Sequence, residues 1–252
     1  MTIRIPDNGS RGRARIGLVV PFSNTNLESD LFMLRPQGVS LHVMRAGGYD
    51  LDKVPDSEQM RKFALASLDE MISSLSAARP DVILYGCTSA TLAHGPGFDR
   101  EFAKRITDMS GVPAVTAASA LVEALEALHV RRIAFSSPYV EQLNQEAISY
   151  LEHCGIQTVS SAYVGSNLGN YGQGELTPDE VYELGCRADH PKAETIVLSC
   201  TDMRSVEAVE ALERDLRKPV IASNQALLFA AVRRLSLSSE ALVRCGRLFD
   251  CL

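Results

Sequence analysis

The feature that most constrains the fold is an internal repeat, because three segments of the first half recur in the same order in the second half. The matched pairs are Arg15–Phe22 with Arg132–Tyr139, Cys87-Thr88 with Cys200-Thr201, and Val112–Leu121 with Lys218–Leu227. The spacing between partners shrinks along the chain, which indicates that the loops differ in length while the elements keep their order. The repeat predicts two lobes of similar build, and such lobes commonly bind small ligands in the cleft between them.

Apolar runs of strand type alternate with segments of helical periodicity along the whole chain. The segment Ser57–Ala77, for example, carries apolar residues at helical spacing and predicts one long helix. Short strands separated by helices of this length predict parallel sheets with helices on both faces, and therefore an α/β fold. The 252 residues are enough for two lobes that each bury a core.

Charge and composition exclude several classes of function. The formal net charge of −6 predicts no general affinity for nucleic acid or for anionic membranes. No apolar stretch is long enough to cross a membrane, and the first residues lack the apolar core of a secretory signal, so we expect a cytoplasmic protein. The six cysteines form no Cys-x-x-Cys pair and the five histidines show no ligand spacing. We therefore expect neither a disulfide framework nor a bound metal.

Two of the cysteines, Cys87 and Cys200, each follow a short apolar run of strand type and each precede a threonine. Open α/β sheets bind ligands at the carboxyl ends of their strands, and a thiol at a helix N-terminus has a lowered pKa that favours the thiolate. A single cysteine at such a place is equally well explained as a small buried residue. The matched pair favours two reactive thiols that face one substrate. We interpret the other four cysteines as bystanders.

Polar residues in the turns after the strands are candidates for substrate binding. Hydroxyl, amide and free backbone N–H groups at a strand-to-helix turn can bind an anion, although the same residues also serve as plain helix caps. No Lys or Arg occurs in the turns, so we expect a carboxylate to be held by neutral donors. The candidates are Ser23, Asn24, Thr88, Ser89, Tyr139, Asn167 and Thr201.

The segment 165–174 contains four glycines, which predicts a mobile lid or a tight loop close to ligand. Its glycines do not match a dinucleotide-binding fingerprint, because no helix is expected to follow at once.

The chain resembles the aspartate/glutamate racemase superfamily. Within it, the chain looks most similar to the group of maleate cis-trans isomerases, arylmalonate decarboxylases and ectoine-utilisation racemase-like proteins. The motifs that carry the resemblance are Val20–Glu28, with its Pro-x-Ser-Asn-Thr turn, Gly86–Thr91, Ser137–Tyr139, Ser199–Thr201 and Gly246–Phe249.

This resemblance implies two Rossmann-like lobes with parallel sheets related by pseudo-twofold symmetry, and an active site in the cleft between them. The N-terminal lobe would comprise 14–116 plus 222–252 and carry Cys87, and the C-terminal lobe would comprise 117–221 and carry Cys200. Residues 1–13 would form a flexible tail. The resemblance also implies that no cofactor is used and that the protein is a homodimer or homotetramer.

The same resemblance implies roles for individual residues. Cys87 and Cys200 would be the catalytic pair. Asn24, Tyr139 and Asn167 would bind the substrate. The backbone N–H groups of Thr88 and Thr201 would assist, and Ser23 and Ser89 remain further substrate-binding candidates.

We therefore predict a cofactor-independent isomerase of a small carboxylate or dicarboxylate, with maleate-to-fumarate isomerisation as the leading hypothesis. An amino-acid racemase of the aspartate type, using two-thiol proton transfer, is the alternative. An arylmalonate-type decarboxylase is a further alternative, disfavoured because those enzymes keep only the second cysteine. A non-catalytic small-molecule binding protein is the last.

Overall fold

The structure is a computed structural model, and it describes residues 12–47, 57–165, 168–237, 243 and 245–252. The predicted tail at residues 1–13 lies almost entirely outside this range. The strands are β1 Ala14–Pro21, β2 Val39–Ala46, β3 Val82–Tyr85, β4 Ala114–Thr116, β5 Arg132–Ser137, β6 Gln157–Tyr163, β7 Thr195–Leu198 and β8 Val220–Ala222.

One or two helices separate each of these strands from the next. They are α1 Leu27–Leu34, α2 Ser57–Leu65, α3 Leu68–Ala77, α4 Thr88–Leu92, α5 Pro96–Ser110, α6 Ala117–Ala127, α7 Glu141–His153, α8 Gly169–Glu175, α9 Pro178–Ala188, α10 Val206–Leu216 and α11 Ser223–Arg234. A short 3-10 helix, Arg247–Cys251, lies near the end of the chain.

The strands form two four-stranded parallel sheets of identical topology. The first sheet has the order β2-β1-β3-β4 and the second the order β6-β5-β7-β8. The repeated segments of the sequence thus occupy equivalent positions, since β1 corresponds to β5, β3 to β7 and β4 to β8. This arrangement confirms the predicted α/β fold with two similar parallel sheets.

The central strands β3 and β7 are buried along their whole length. Parallel strands covered by helices on both faces are apolar at consecutive positions, which explains why Val82–Tyr85 and Thr195–Leu198 show no polar alternation. Burial on both sides forces the turns that follow these strands to emerge at the sheet edge, where the two halves of the molecule meet.

The prediction of one helix over 57–77 was wrong, because two helices, α2 and α3, occupy this segment. The chain breaks at Ser67, which has a left-handed backbone with φ of 53°. Apolar residues on both sides of the break, such as Phe63 and Leu68, face the core. The helical periodicity therefore continues across the break and conceals it in the sequence.

The last helices of the two repeats pack against each other. Helix α11 contacts α6 and α1, and it also lies against β3 and β4 of the first sheet. Helix α6 contacts both β4 and β8. The division of the chain into lobes at 116/117 and 221/222 stays a prediction. Within the part of the chain that is described, no helix combines the length and apolar character needed to cross a membrane.

Candidate active site

A small cavity of about 60 Å³ lies where the turns after β1, β3 and β7 meet. Its small volume suits a small molecule. A larger hollow of about 690 Å³ lies elsewhere, beside α5, α6 and α7, and contains neither Cys87 nor Cys200. The small cavity is lined by Pro21, Phe22, Ser23, Asn24, Met60, Phe63, Cys87, Ser89, Gln173, Cys200, Thr201 and Asp202.

Cys87 lies between β3 and α4, with an extended backbone, and its side chain is only 6% exposed. Its Sγ atom is 3.7 Å from Ser89 Oγ and accepts a hydrogen bond from the backbone N–H of Ala90. Gly86 precedes it for a steric reason, because a Cβ atom there would come within 2.2 Å of Leu27 Cδ2. The backbone before Cys87 thus packs closely against β1 and α1, and this packing fixes the position of the cysteine.

Cys200 occupies the equivalent place after β7 and is also 6% exposed. Its thiol donates to Oε1 of Gln173 at 3.4 Å, and its Sγ accepts from the backbone N–H of Asp202 at 3.4 Å. Both cysteines therefore line the same cavity from the two repeats.

Burial raises the pKa of both thiols above the ordinary cysteine value. For Cys87 the raised pKa is about 11, although the Ala90 N–H and Ser89 lower it in part. For Cys200 burial is again the main cause, and the Asp202 carboxylate adds to it. The sequence predicted a thiolate favoured by the helix N-terminus. The structure differs, because desolvation exceeds the effect of α4, a helix of only five residues.

A hydrogen-bonded bridge joins the turns of the two repeats behind the thiols. The hydroxyl of Thr201 donates to the carbonyl of Gly86 at 2.8 Å and accepts from Asn24 Nδ2 at 3.1 Å. Asn24 Oδ1 accepts from the backbone N–H groups of Asn26 and Leu27, so Asn24 also caps the start of α1. These two residues line the cavity, but their polar atoms are largely committed to holding the turns together.

The sequence did not predict Asp202 as a site residue. This residue joins the turn after β7 to the turn after β1. Its Oδ1 accepts from the backbone N–H of Thr25 at 2.8 Å and of Asn26 at 3.3 Å. Burial raises the pKa of this carboxyl to about 6 in spite of these hydrogen bonds. The sequence feature that could have indicated this role is the position of Asp202 two residues after Cys200. From there its carboxylate reaches the turn after β1.

Sequence reasoning also missed Gln173. The glycine-rich segment, predicted as a loop, contains the short helix α8, which brings Gln173 to the cavity wall. Asn26 holds this helix, because its Nδ2 donates to Gly174 O at 3.1 Å and to Asp202 O at 2.7 Å. Nothing in the spacing of the glycines indicated a glutamine ligand for a thiol.

The remaining predicted site residues lie in three different places. Ser23 and Ser89 line the cavity, and Ser89 Oγ also lies 3.0 Å from Met60 Sδ. Thr88 and Tyr139 are buried behind the lining, where the Tyr139 hydroxyl is 3.4 Å from Ser199 Oγ and bonds to Thr88. Asn167 lies outside the described residues. The roles of all these residues in binding stay predictions.

The cavity lining contains no Lys, Arg or His among the residues that the structure describes. The guanidinium of Arg45 donates to the carbonyls of Pro21, Phe22 and Asn24 but is not part of the lining. Nor do the described residues contain a cluster of three or more His, Cys, Asp or Glu suited to a metal ion. The titratable side chains of the lining are the thiols of Cys87 and Cys200 and the carboxyl of Asp202.

Comparison with known proteins places this chain among two kinds of enzyme. A model of the arylmalonate decarboxylase family matches residues 16–249. The maleate isomerase of Nocardia farcinica is 30% identical over 236 residues, which cover 90% of this chain and 92% of the relative. The maleate isomerase of Pseudomonas putida KT2440 is 29% identical over 242 residues, which cover 88% of this chain and 92% of the relative.

A solved structure of the Nocardia farcinica maleate cis-trans isomerase superposes with a TM-score of 0.85 at 27% identity, covering 94% of this chain and 98% of that one. That protein is a cysteine-to-serine mutant with a covalently bound succinylcysteine intermediate. The similarity extends over both sheets and thus over the whole cleft.

Proposed function

The chain belongs to the arylmalonate decarboxylase family, and from this premise we propose that it is a cofactor-independent isomerase that converts maleate to fumarate with the thiols of Cys87 and Cys200. The relatives named above are maleate isomerases, and one of them carries a succinylcysteine adduct. Such an adduct is what a thiol forms when it adds to the double bond of maleate.

One observation carries the proposal: two buried thiols, from equivalent strands, line a single small cavity without a cationic side chain. A cis-trans isomerisation by covalent catalysis needs one thiol to add to a carbon and a second group to exchange a proton with the neighbouring carbon. The two cysteines supply both functions, and no step calls for a cofactor.

In the proposed first step, Cys87 loses its proton to solvent and its sulfur bonds to one alkene carbon. Cys200 gives its proton to the adjacent carbon, so the product is a succinyl thioether on Cys87 and a thiolate on Cys200. Cys87 suits the nucleophile because its Sγ accepts from the Ala90 N–H. Cys200 suits the acid because Gln173 Oε1 accepts its S–H and the Asp202 carboxylate raises its pKa.

In the second step, the adduct rotates about the new carbon–carbon single bond. The side chains of Phe22, Met60 and Phe63 on the cavity wall offer no strong hydrogen-bond donor that would hold the moving carboxylate. Cys200 then removes the proton that it gave, and the bond to Cys87 breaks. Fumarate leaves, and Cys87 regains a proton from solvent, so the cycle balances.

The direct assay is incubation with maleate, followed by proton NMR of the vinyl protons. The proposal expects fumarate to appear at a rate proportional to enzyme concentration, and the rate to be lost after alkylation of the protein. Absence of fumarate, together with α-deuteration of aspartate in D₂O, would replace this function by the racemase described next.

A second candidate, an amino-acid racemase, is favoured by the Asp202 carboxylate on the cavity wall. With a pKa of about 6 this group is largely ionised at neutral pH and could pair with the ammonium group of an aspartate-like substrate. One thiolate would remove the α-proton and the opposite thiol would return one. The D₂O experiment with L- and D-aspartate distinguishes this candidate from the isomerase.

A non-catalytic binding protein would bind a dicarboxylate without thiol chemistry. Alkylation of Cys87 or Cys200 that a dicarboxylate suppresses, combined with turnover, contradicts that alternative.

We also propose that the protein works in the cytoplasm and as a homodimer or homotetramer. All six cysteines are free thiols, which accords with a reducing compartment. Light scattering coupled to gel filtration tests the assembly, and a monomer at micromolar concentration would contradict it.

A further inference from the structure

Gln173 contacts one of the two thiols and not the other. It lies near the end of α8, half-buried, and lines the cavity beside Cys200, Thr201 and Asp202. Its Oε1 accepts the S–H hydrogen bond of Cys200 at 3.4 Å. The carbonyl of the next residue, Gly174, accepts a hydrogen bond from Asn26, which lies in the turn after β1. The position of Gln173 is therefore anchored to both repeats.

The amide of Gln173 has a second polar end. Its Nε2 group has no hydrogen-bond partner among the residues that the structure describes. An amide N–H on the wall of a cavity without cations is a suitable donor for a carboxylate oxygen. One side chain can thus accept from the thiol and donate to a substrate at the same time.

The two thiols differ in their acceptors. Each Sγ accepts a backbone N–H, that of Ala90 for Cys87 and that of Asp202 for Cys200, but among the described contacts an amide oxygen accepts the S–H of Cys200 alone. A donor stabilises the thiolate, whereas an acceptor stabilises the protonated thiol. The two cysteines are equally exposed, at 6% each, so burial alone does not distinguish them.

We propose that Gln173 is a positioning residue that holds the proton on Cys200 through its Oε1 and donates a hydrogen bond from its Nε2 to a carboxylate of the substrate. This inference rests on the proposed function, in which Cys200 is the acid. When a substrate carboxylate binds Nε2, the reacting carbon comes close to the thiol whose proton the same amide has kept in place. The nearby Asp202 carboxylate acts in the same direction, since it disfavours a thiolate on Cys200.

Alkylation of the resting protein tests the first half of the proposal without any turnover. The probe is iodoacetamide at pH 8, and peptide mapping gives separate rates for Cys87 and Cys200. Only the thiolate reacts, so the rate follows the thiolate fraction. In Gln173→Met, which keeps the size but removes the acceptor, we expect the rate ratio of Cys200 to Cys87 to rise about fivefold, the equivalent of one neutral hydrogen bond.

Cys87 serves as the internal reference, because a substitution that merely opened the cavity would accelerate both thiols. A ratio that stays the same or falls overturns the proposal. Gln173→Glu supplies the opposite change, since a carboxylate accepts the S–H more strongly, and its ratio should fall below that of the wild type. A ratio in Gln173→Glu above that of the wild type would also contradict the proposal. Gln142→Met makes the matched change at an exposed glutamine and should leave both rates unchanged.

Steady-state kinetics with maleate test the second half. Gln173→Met should lower kcat about fivefold and raise KM, because both hydrogen bonds are lost. Gln173→Glu should mainly raise KM, since its negative charge repels a dicarboxylate. If the wild type does not turn over maleate, the proposed function fails while the alkylation ratio still decides the role of Gln173. A variant with normal KM and kcat overturns the assignment of Nε2.

Discussion

The turn at Gly86–Ser89 and the turn at Ser199–Asp202 follow equivalent strands but have different side chains around their cysteines. Each follows a fully buried four-residue strand, and each presents a cysteine that is 6% exposed. The turn with Cys87 runs directly into α4, and its thiol accepts from the Ala90 N–H. The turn with Cys200 bends before α10 begins, and its thiol accepts from the Asp202 N–H, donates to Gln173 of α8 and lies near the Asp202 carboxylate. Repetition of the fold positions two thiols, and the neighbouring side chains make them chemically unequal.

An addition–rotation–elimination reaction needs one thiolate and one proton donor. In a symmetric pair either thiol could take either role. The asymmetry between the turns favours Cys87 as nucleophile and Cys200 as acid.

The largest expected effect comes from removing either thiol. Cys87→Ala eliminates the proposed nucleophile, and we expect at least about a thousandfold loss of kcat. Cys200→Ala removes the proposed acid and should cost about a hundredfold to ten-thousandfold. The assay is fumarate formation, with Cys245→Ala as a control at a buried cysteine outside the cavity, whose activity should remain. Full activity in both active-site variants would contradict the two-thiol mechanism.

The pH dependence of the rate reports which thiol must ionise. Since the pKa of Cys87 is about 11, the thiolate fraction and hence kcat/KM should rise about tenfold per pH unit from neutral pH. Between pH 7 and 9 this amounts to about a hundredfold. A profile that becomes flat near pH 8 would show that the nucleophile is not desolvated as described.

Asp202 occupies the position in its turn that Ser89 occupies in the other turn, and only Asp202 has a carboxyl group there. Of the two turns, we therefore expect only the one with Asp202 to make the stability of the protein depend on pH. Burial raises its pKa from 3.8 to about 6, so the folded state binds the proton more tightly than the unfolded state does. The free energy of unfolding should therefore fall by about 3 kcal/mol as the pH rises from about 3 to about 7, and stay level above. Asp30, which has a similarly raised pKa, adds a like decrease.

Asp202→Asn should remove about half of this decrease, and urea unfolding at a series of pH values measures it. The amide oxygen can still accept from the Thr25 N–H, so the contact between the turns is retained. An unchanged slope would mean that Asp202 is not desolvated in the folded protein.

The smallest expected effect compares the two threonines that follow the cysteines. Thr201→Val leaves the Gly86 carbonyl and Asn24 Nδ2 without their partner, which should cost about 3 kcal/mol of unfolding free energy. Thr88→Val loses the hydrogen bonds to Ser223 at 3.2 Å and to the Tyr139 hydroxyl, which should cost about 2 kcal/mol. Thr201→Ser restores the hydroxyl and should recover most of the loss. Equal costs for the two valine variants would contradict the bridging role of Thr201.

The sequence was sufficient for the fold because its signals are local and repeated. The apolar runs that end at Tyr85 and Leu198 predicted the central strands, and the ordered matches predicted equivalent sheets. The break at Ser67 could not be predicted, since apolar periodicity continues through it. The position of α8 also escaped prediction, because the packing of Gly174 against Asn26 orders a segment whose composition is typical of a loop.

The sequence predicted which turns form the site, but it did not predict all of the side chains that line it. Cys87, Cys200, Ser23, Asn24, Ser89 and Thr201 come together because the carboxyl ends of parallel strands share one sheet edge. The protonation of the thiols was not accessible, since it depends on desolvation by Phe22, Met60 and Phe63, which reach the cavity from other elements. Gln173 and Asp202 are defined by contacts between the repeats, and such contacts leave no local pattern.

The most direct test of the unequal thiols is mass spectrometry of two variants incubated with maleate. In Cys200→Ser, we predict a mass increase of one maleic acid, mapped to the peptide that contains Cys87. In Cys87→Ser, we predict no adduct on Cys200. An adduct on Cys200 in the second variant, with none on Cys87 in the first, would contradict the assignment of nucleophile and acid.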